Sequence, residues 1–242
     1  GTEQLEGFLA QRFAGVPLIR LDRDTTARRG SLERQLERLH RADAALLVGT
    51  QMLAKGHHFP RVTLVGVLDA DGGLFSADFR AAERMAQLLV QVAGRAGRGD
   101  RPGDVLIQTR YPDNPLLQTL VRRGYAAFAQ QALQEREAAA MPPYSHQALL
   151  RADATRLDAA HDFLDAAAAH ARRLAVDGVE LWGPVPAPMV RRAGRHRAHL
   201  LIQAAQRDAL HALLQALPAF IAALPRSRRV RWSLDVDPID LY

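Results

Sequence analysis

Short apolar runs alternate with amphipathic stretches along the first half of the chain. Apolar runs predict strands at residues 16–21, 45–49, 62–68 and 104–109, and helical spacing predicts helices over 4–13, 31–41 and 81–93. In the last of these helices, Met85, Leu88, Leu89 and Val92 recur at the helical period. Continuous apolar strands that alternate with helices favour a parallel sheet covered on both faces. The first half is therefore predicted to be an α/β domain.

The second half has a different order of elements. A long helical stretch over 112–140 ends at Met141, because the prolines at 142 and 143 cannot continue a helix. Beyond it, the pattern predicts strands at 147–152, 179–182, 197–203 and 230–236, and helices at 157–174 and 207–223. This βαββαβ order is typical of an α+β, ferredoxin-like domain. We therefore predict two domains, residues 1–141 and residues 142–242.

Composition narrows the classes of protein that fit. The 242 residues are 48% hydrophobic, yet no apolar run approaches the roughly 20 residues that cross a bilayer, so we expect a soluble, cytoplasmic chain with no membrane partner. The absence of cysteine excludes disulfides and thiolate metal sites. All but Lys55 of the 32 basic residues are arginines, and the net charge of +6 is compatible with a polyanionic partner. Because the sequence starts at Gly1, we expect a piece of a longer protein.

Residues 91–98, QVAGRAGR, fit the pattern QxxGRxGR at every fixed position. Gly94 and Gly97 let the chain leave the predicted helix and approach a ligand closely. Arg95 and Arg98 then project from a turn, and planar guanidinium groups bind phosphate oxygens and stabilise charge on a transferred phosphoryl group. The alternative interpretation is a solvated basic turn.

A second motif follows the strand predicted at 45–49. Thr50, Gln51, Lys55 and the Gly56 backbone come after the carboxyl end of this strand. Ligands of parallel α/β sheets bind at that end of the strands, so these residues are candidates for contacting a phosphate or a nucleic-acid backbone.

Taken in order, LLVGTQMLAKGHHFP, VLDADGGLFSADFRAAERMAQLL and QVAGRAGR resemble motifs V and VI of superfamily 2 helicases. The residues of these segments, together with WGPVPAP and LDVDPID in the second half, are similar to those of the PriA family of bacterial replication-restart helicases. The resemblance implies a RecA-like second helicase lobe, followed by a C-terminal domain that binds nucleic acid and partner proteins.

The resemblance also implies roles for individual residues. Arg95 and Arg98 would reach ATP phosphates across a cleft from a first lobe, and Gln91 would support that site. Lys55, Gly56 and Asp71 would belong to the nucleotide site. Thr50 and Gln51 would contact single-stranded DNA. Whether His58 contacts the nucleotide sugar stays open, because the wider superfamily commonly has aspartate at this position.

Essential parts of an ATP site are absent from this sequence. It contains no GxxxxGK[ST] segment to hold a triphosphate, so ATP and Mg would be shared with the first lobe, and we predict no ATP hydrolysis by the isolated chain. By resemblance, zinc belongs only to an upstream region. No metal site is predicted here, because adjacent His57 and His58 would point to opposite sides of a strand, and a calcium-like start at Asp69 has Arg80 as its twelfth residue.

A basic segment lies in the second half, where residues 191–199 contain four arginines and two histidines. We expect Arg191, Arg192, Arg195 and Arg197 to follow a phosphate backbone beside the sheet. The alternative is a solvated loop and edge strand.

One partner is implied by the resemblance, the single-stranded DNA-binding protein with its acidic C-terminal tail. Arg207 and His211, one turn apart on the helix predicted at 207–223, are candidates to bind that tail, although such pairs are commonly plain helix surface.

Two functions fit these patterns. The first is the C-terminal part of an ATP-dependent DNA helicase, 3′-to-5′ by resemblance, which remodels forks and single strands with other primosome proteins to restart replication. The alternative is a non-catalytic nucleic-acid-binding module, whose arginines only hold DNA phosphates. Motifs V and VI in the correct order favour the helicase.

Overall fold

The computed structural model describes residues 2–21, 37, 41–49, 62–76, 78–94, 103–224 and 229–241. Residue contacts divide the chain into two compact units. The first contains Gly1–Ala70 and Met85–Thr109, and the second contains Asp71–Arg84 and Arg110–Tyr242.

Two parallel pairs of strands form the sheet structure described in the first unit. Its elements are helix α1 (Thr2–Arg12) and strands β1 (Leu18–Leu21), β2 (Leu46–Gly49), β3 (Leu64–Val67) and β4 (Asp104–Ile107). Strand β1 pairs with β2, and β3 pairs with β4, both in parallel. The predicted parallel α/β character is confirmed, while the helix predicted at 31–41 falls outside the described residues except at 37 and 41.

The pair β3–β4 differs from the expectation of a sheet covered on both faces. Leu64 and Leu106 are 59% and 61% exposed, whereas Val65 and Ile107 are half-buried. Because side chains alternate between the two faces of a strand, the exposed leucines share one face and the half-buried residues share the other. This pair is therefore covered mainly on one face, and the described strands form two separate pairs rather than one sheet.

An antiparallel sheet with two helices dominates the second unit. After short helix α2 (Asp71–Leu74) and the first turn of α3 (Ala81–Ala93) come α4 (Pro115–Ala138), β5 (His146–Ala154), α5 (Leu157–Leu174), β6 (Val179–Arg192), β7 (Arg195–Ala204), α6 (Arg207–Ala223) and β8 (Arg231–Val236). The strand order is β6-β7-β5-β8, and every neighbouring pair is antiparallel. The predicted βαββαβ order of elements is confirmed.

The core of this unit lies between one face of the sheet and helices α5 and α6. Alternate residues of β5 and β7 supply the sheet side of the core, because side chains of period two share a face. On α6 the buried residues recur every three or four positions, which places them on one helical face. The fully buried α6 residues are Leu210, Leu213, Leu217 and Ile221.

Helix α4 lies within the predicted stretch 112–140, beginning three residues later and ending two residues earlier. The side chain of Asn114 accepts a hydrogen bond from Leu117 N at 3.2 Å, and Pro115 occupies the first turn, so both features favour a helix start. The helix ends at Ala138, shortly before Pro142 and Pro143. Gly124 interrupts it with a φ of 82°, a conformation that glycine adopts readily.

Strands β6 and β7 are longer than predicted and form one hairpin. The turn between them is Ala193-Gly194, and both residues have positive φ angles, 48° and 77°. Two consecutive positive φ angles are typical of the two-residue turn that joins tightly paired strands. Strand β7 lies between β6 and β5, so the edge strand of the alternative interpretation does not apply to β7.

Gly183 is required where β6 departs from regular pairing. Its φ is 108°, and a Cβ at this position would lie 3.0 Å from the carbonyl oxygen of His199. The register shifts between Trp182 and Val185, as expected for a bulge that lets two backbones approach closely. The glycine of the WGPVPAP segment is thus a structural requirement of the hairpin.

Candidate functional site

Residues just before α3 contact the first turn of this helix. Asp78 is 3% exposed, and its carboxylate accepts a hydrogen bond from Arg80 N at 2.9 Å, as a helix cap does. The same carboxylate pairs with the guanidinium of Arg84. Arg84 also donates to the carbonyl oxygen of Ile239 at 3.1 Å. The DFRAxER and LDVDPID segments therefore meet in the second unit.

Arg136 of α4 binds the same turn of α3. Its Nη2 donates to Phe79 O at 3.1 Å and to Glu83 Oε2 at 2.9 Å. Its guanidinium also lies over the Phe79 ring, 5.1 Å from the ring centroid. One arginine side chain, only 14% exposed, thus contacts a carbonyl, a carboxylate and an aromatic face.

Asp71 lies in short helix α2. Its carboxylate accepts from the backbone N–H of Arg110 at 3.1 Å. Beside it, the rings of Phe75 and Tyr111 pack 4.5 Å apart. These contacts join α2 to the segment that follows β4.

At its other end, α3 leads into the QVAGRAGR motif. Met85, Ala86 and Leu89 are buried, whereas Gln91 is exposed on the last turn. Gly94 donates from its backbone to Val90 O at 2.9 Å, immediately after the helix ends. The predicted helix carrying this motif is confirmed, and it presents Gln91 to solvent.

Several predicted site residues fall outside the part of the chain that the structure describes. They are Thr50, Gln51, Lys55, Gly56, His57, His58, Arg95 and Arg98. The described neighbours place Gly49 at the carboxyl end of β2.

The tip of the β6–β7 hairpin is basic and exposed. Arg191 and Arg192 end β6 and are both exposed, as are Ala193 and Gly194 of the turn. Met189 is 54% exposed just before them. The tip therefore presents two guanidinium groups next to a two-residue turn, an arrangement that can contact phosphate oxygens.

The arginines that follow the turn, on β7, have different surroundings. Arg195 donates to the carbonyl oxygen of Asp153 at 2.7 Å, and Arg197 Nε lies 3.4 Å from Asp153 Oδ1. Arg197 is buried, at 9% exposure. The structure thus separates the four predicted arginines into an exposed pair, Arg191 and Arg192, and a pair that is held against β5.

His199 lies two residues further along β7 and is 5% exposed. Burial, reinforced by the positive charges of Arg151 and Arg197, lowers the pKa of His199 to about 4. The carboxylate of Asp153 and a backbone hydrogen bond with Leu241 act in the opposite direction. This histidine is therefore neutral near pH 7.

Arg207 and His211 are both exposed on α6. Arg207 is the first residue of the helix, and His211 follows one turn later on the same side. The buried face of α6 is formed by other residues, so this pair is accessible to a partner.

Four contact residues were not predicted as site residues. They are Asp78, Glu83, Arg84 and Arg136. The first three belong to DFRAxER. The spacing of acidic and basic residues in this segment could have indicated that they pair along the helix. Arg136 had no such indication, because its partner Glu83 lies 53 residues away.

Neither a metal cluster nor a membrane span is found within the described ranges. No group of three or more His, Asp or Glu side chains in this part of the chain is arranged to hold a metal ion. No helix of the same residues is long and apolar enough to cross a bilayer.

Comparisons with known proteins agree with these features. Residues 1–100 match the family described as helicase conserved C-terminal domain, and residues 137–239 match the one described as primosomal protein N C-terminal domain. The solved structure of a de novo designed protein is similar at a TM-score of 0.31 and 11% identity, covering 39% of this chain and 97% of that one.

Curated relatives match the whole chain. It is 48% identical over 241 residues to the replication restart protein PriA of Haemophilus influenzae, covering 100% of this chain and 33% of that protein. It is 38% identical to the protein of the same name from Synechocystis, covering 100% of this chain and 28% of the relative. The Bacillus subtilis protein is 37% identical, with coverage of 98% and 30%. The chain spans about a third of these relatives, and it belongs to the PriA family, whose C-terminal part it matches.

Proposed function

We propose that this chain is the C-terminal part of an ATP-dependent DNA helicase that remodels stalled forks, with 3′-to-5′ polarity, so that replication restarts. The observation that supports this proposal is where α3 ends relative to the GRAGR segment. This helix ends at Ala93, one residue before the first glycine of GRAGR, and exposes Gln91 on its last turn. Arg95 and Arg98 follow this helix directly in the sequence, and in the proposal they act on phosphates.

Roles for the motif residues follow from this proposal. Arg95 and Arg98 bind ATP phosphates, and Gln91 supports them. Lys55, Gly56 and Asp71 complete this side of the nucleotide site, while Thr50 and Gln51 contact single-stranded DNA. ATP and Mg are held jointly with a first lobe that supplies GxxxxGK[ST], because this sequence lacks that segment.

In this proposal, residues 1–141 form the second, RecA-like lobe with its trailing helix, and residues 142–242 form a ferredoxin-like domain. The support for the second assignment is the strand order β6-β7-β5-β8 with both helices on one face. Arg191 and Arg192 of this domain contact DNA phosphates, with Arg195 next to them. Arg197 has a mainly structural role, because it is buried beside Asp153.

Partner binding is assigned to α6. Arg207 and His211 offer a cation and a hydrogen-bond donor to the acidic tail of the single-stranded DNA-binding protein. Other primosome proteins are further partners, and the protein acts in the cytoplasm on the nucleoid. Zinc belongs to the upstream region of the full-length protein.

The test uses the full-length protein and its DNA-stimulated ATP hydrolysis. Arg95→Ala or Arg98→Ala is expected to lower turnover by about 10³-fold, as removal of an arginine finger does, with DNA affinity retained. Arg122→Ala, an exposed arginine of α4, is the matched control and keeps normal turnover. The isolated 242-residue chain is expected to show no turnover. Near-normal hydrolysis by both arginine variants contradicts the assignment.

A second function is favoured by the exposed hairpin tip alone. A non-catalytic module would bind DNA through Arg191 and Arg192 without any hydrolysis. Measurements on the full-length protein distinguish this module from a helicase. Tight fork binding without DNA-stimulated ATP hydrolysis would favour the module.

A further inference from the structure

We propose that four side chains form a positioning device for the helix that carries the QVAGRAGR motif. The device, here called the α3 clamp, consists of Asp78, Glu83, Arg84 and Arg136, with the Ile239 carbonyl as its fifth member. The inference rests on the proposed function. It adds to that function a role for the contacts around the start of α3.

The clamp holds the first turn of α3 from more than one direction. Arg136 binds a main-chain oxygen at Phe79 and the side chain of Glu83, with distances of 3.1 and 2.9 Å. Arg84, the next residue, binds Asp78 and the Ile239 carbonyl. Adjacent residues of an α-helix project about 100° apart, so these contacts oppose rotation of the helix as well as its displacement.

The helix continues from the clamp to the motif without interruption. Residues of α3 up to Arg84 belong to the second unit, and those from Met85 onward belong to the first. At the usual rise of about 1.5 Å per residue, Gln91 lies about 12 Å from Glu83 along the helix axis. A small rotation of the first turn therefore changes the direction in which Gln91 projects from the last turn of the helix.

The clamp is partly sheltered from solvent. The side chains of Asp78 and Arg136 are 1% and 14% exposed, while those of Glu83 and Arg84 are 37% and 36% exposed. Sheltered, hydrogen-bonded ion pairs have defined geometry, whereas exposed pairs contribute little. Arg136 lies on α4 and Ile239 follows β8, so a shift of either segment is passed to α3.

A structural role alone predicts a different result from a positioning role. If the clamp only stabilised the fold, its variants would lower the melting temperature and leave turnover of the folded protein unchanged. If it positions α3, its variants lower kcat while KM for ATP and DNA affinity stay the same. Small misplacements of catalytic groups are sufficient to reduce rates strongly.

The experiment is a double-mutant cycle in the full-length protein, with Glu83→Gln, Arg136→Gln and the double variant. We expect each single variant to lower the DNA-stimulated kcat for ATP hydrolysis about tenfold. The double variant is expected to lose no more than a single one, because the two residues act as a pair. KM for ATP and the Kd for forked DNA stay within about twofold of wild type. Arg123→Gln, exposed on the same helix as Arg136, keeps the wild-type kcat.

The outcomes distinguish failure of the positioning role from failure of the proposed helicase function. Single variants with wild-type kcat overturn the positioning role, as does a double variant whose losses multiply. A lowered melting temperature with unchanged kcat below that temperature also overturns it. A wild-type protein without DNA-stimulated hydrolysis refutes the proposed function itself, and the clamp's role in it.

Discussion

The start of α3 and the tip of the β6–β7 hairpin are both rich in arginine, but their guanidinium groups have different surroundings. Arg84 and Arg136 bind carboxylates and main-chain oxygens. Arg191 and Arg192 are exposed at the end of β6, next to the turn. In a chain whose 32 basic residues are nearly all arginines, composition does not identify a binding surface. The groups beside each arginine distinguish a structural residue from one that is accessible to a ligand.

The largest effect on stability is expected from breaking the cluster at the start of α3. Asp78→Ala removes a buried carboxylate that caps α3 and pairs with Arg84. Losing the cap and the carboxylate partner of Arg84 should lower the free energy of unfolding by about 3 kcal/mol. Calorimetry or denaturant titration of the chain measures this change.

Two controls sharpen the Asp78 result. Asp78→Asn keeps an oxygen for the Arg80 N–H and loses only the charge, so about half of the effect is expected. Asp113→Ala removes an exposed carboxylate and should change stability by less than about 0.5 kcal/mol. If Asp78→Ala were as mild as Asp113→Ala, the cluster would not hold α3.

His199, in the middle of β7, is expected to make the free energy of unfolding depend on pH. The pKa of His199 is lowered from 6.5 to about 4 in the folded chain, so the unfolded chain binds the proton more tightly. The contribution of neutral His199 is full above about pH 6.5 and is lost as pH falls towards 4. The loss approaches about 3 kcal/mol at the acid end of this range.

Unfolding free energies measured between pH 7 and 4 test this account. His199→Gln is neutral at every pH and should remove this part of the acid slope. Arg197→Gln removes a nearby positive charge, so it should raise the pKa of His199, which NMR titration detects. An acid slope that His199→Gln leaves unchanged would show that other groups cause it.

The exposed tip should have a smaller effect, confined to binding. Arg191→Gln combined with Arg192→Gln should lower affinity for single-stranded DNA about tenfold and reduce the log–log salt slope by about 1.4. The melting temperature should not change, because both side chains are exposed. Fluorescence anisotropy at several salt concentrations gives both quantities.

An equal change of charge elsewhere is the control for the tip. Arg122→Gln with Arg123→Gln removes two adjacent exposed arginines from α4. If this pair reduced the salt slope as much as the hairpin pair, binding would depend on net charge rather than on the tip.

Much of the fold was predictable because its local patterns are strong. The alternation in β8, the three- and four-residue spacing in α6 and the prolines after α4 each predicted an element that the structure contains. The long hairpin was not predicted, because Gly183 and the prolines of WGPVPAP are typical of turns rather than of a strand. Its turn was missed because Ala193 has a positive φ, which alanine rarely adopts.

The candidate site was predictable only in part. The motif at the end of α3 was visible because its residues are consecutive. The pairing of Arg136 with Glu83 was not, because it depends on how α4 packs rather than on spacing. Arg197 was grouped with the exposed arginines because period two places it on the face opposite the core residues Ala198 and Leu200. Its burial beside Asp153 depends on contacts across the sheet that spacing does not show.

The central claim is that the two arginine-rich regions have separate roles, and one titration tests it most directly. ATP turnover of the full-length protein is measured against DNA concentration for Arg136→Gln and for the Arg191→Gln, Arg192→Gln pair. The account predicts that Arg136→Gln lowers the saturating turnover about tenfold at an unchanged half-saturating DNA concentration. It predicts that the hairpin pair raises the half-saturating concentration and keeps the saturating turnover. The same parameter changing in both variants would contradict the claim.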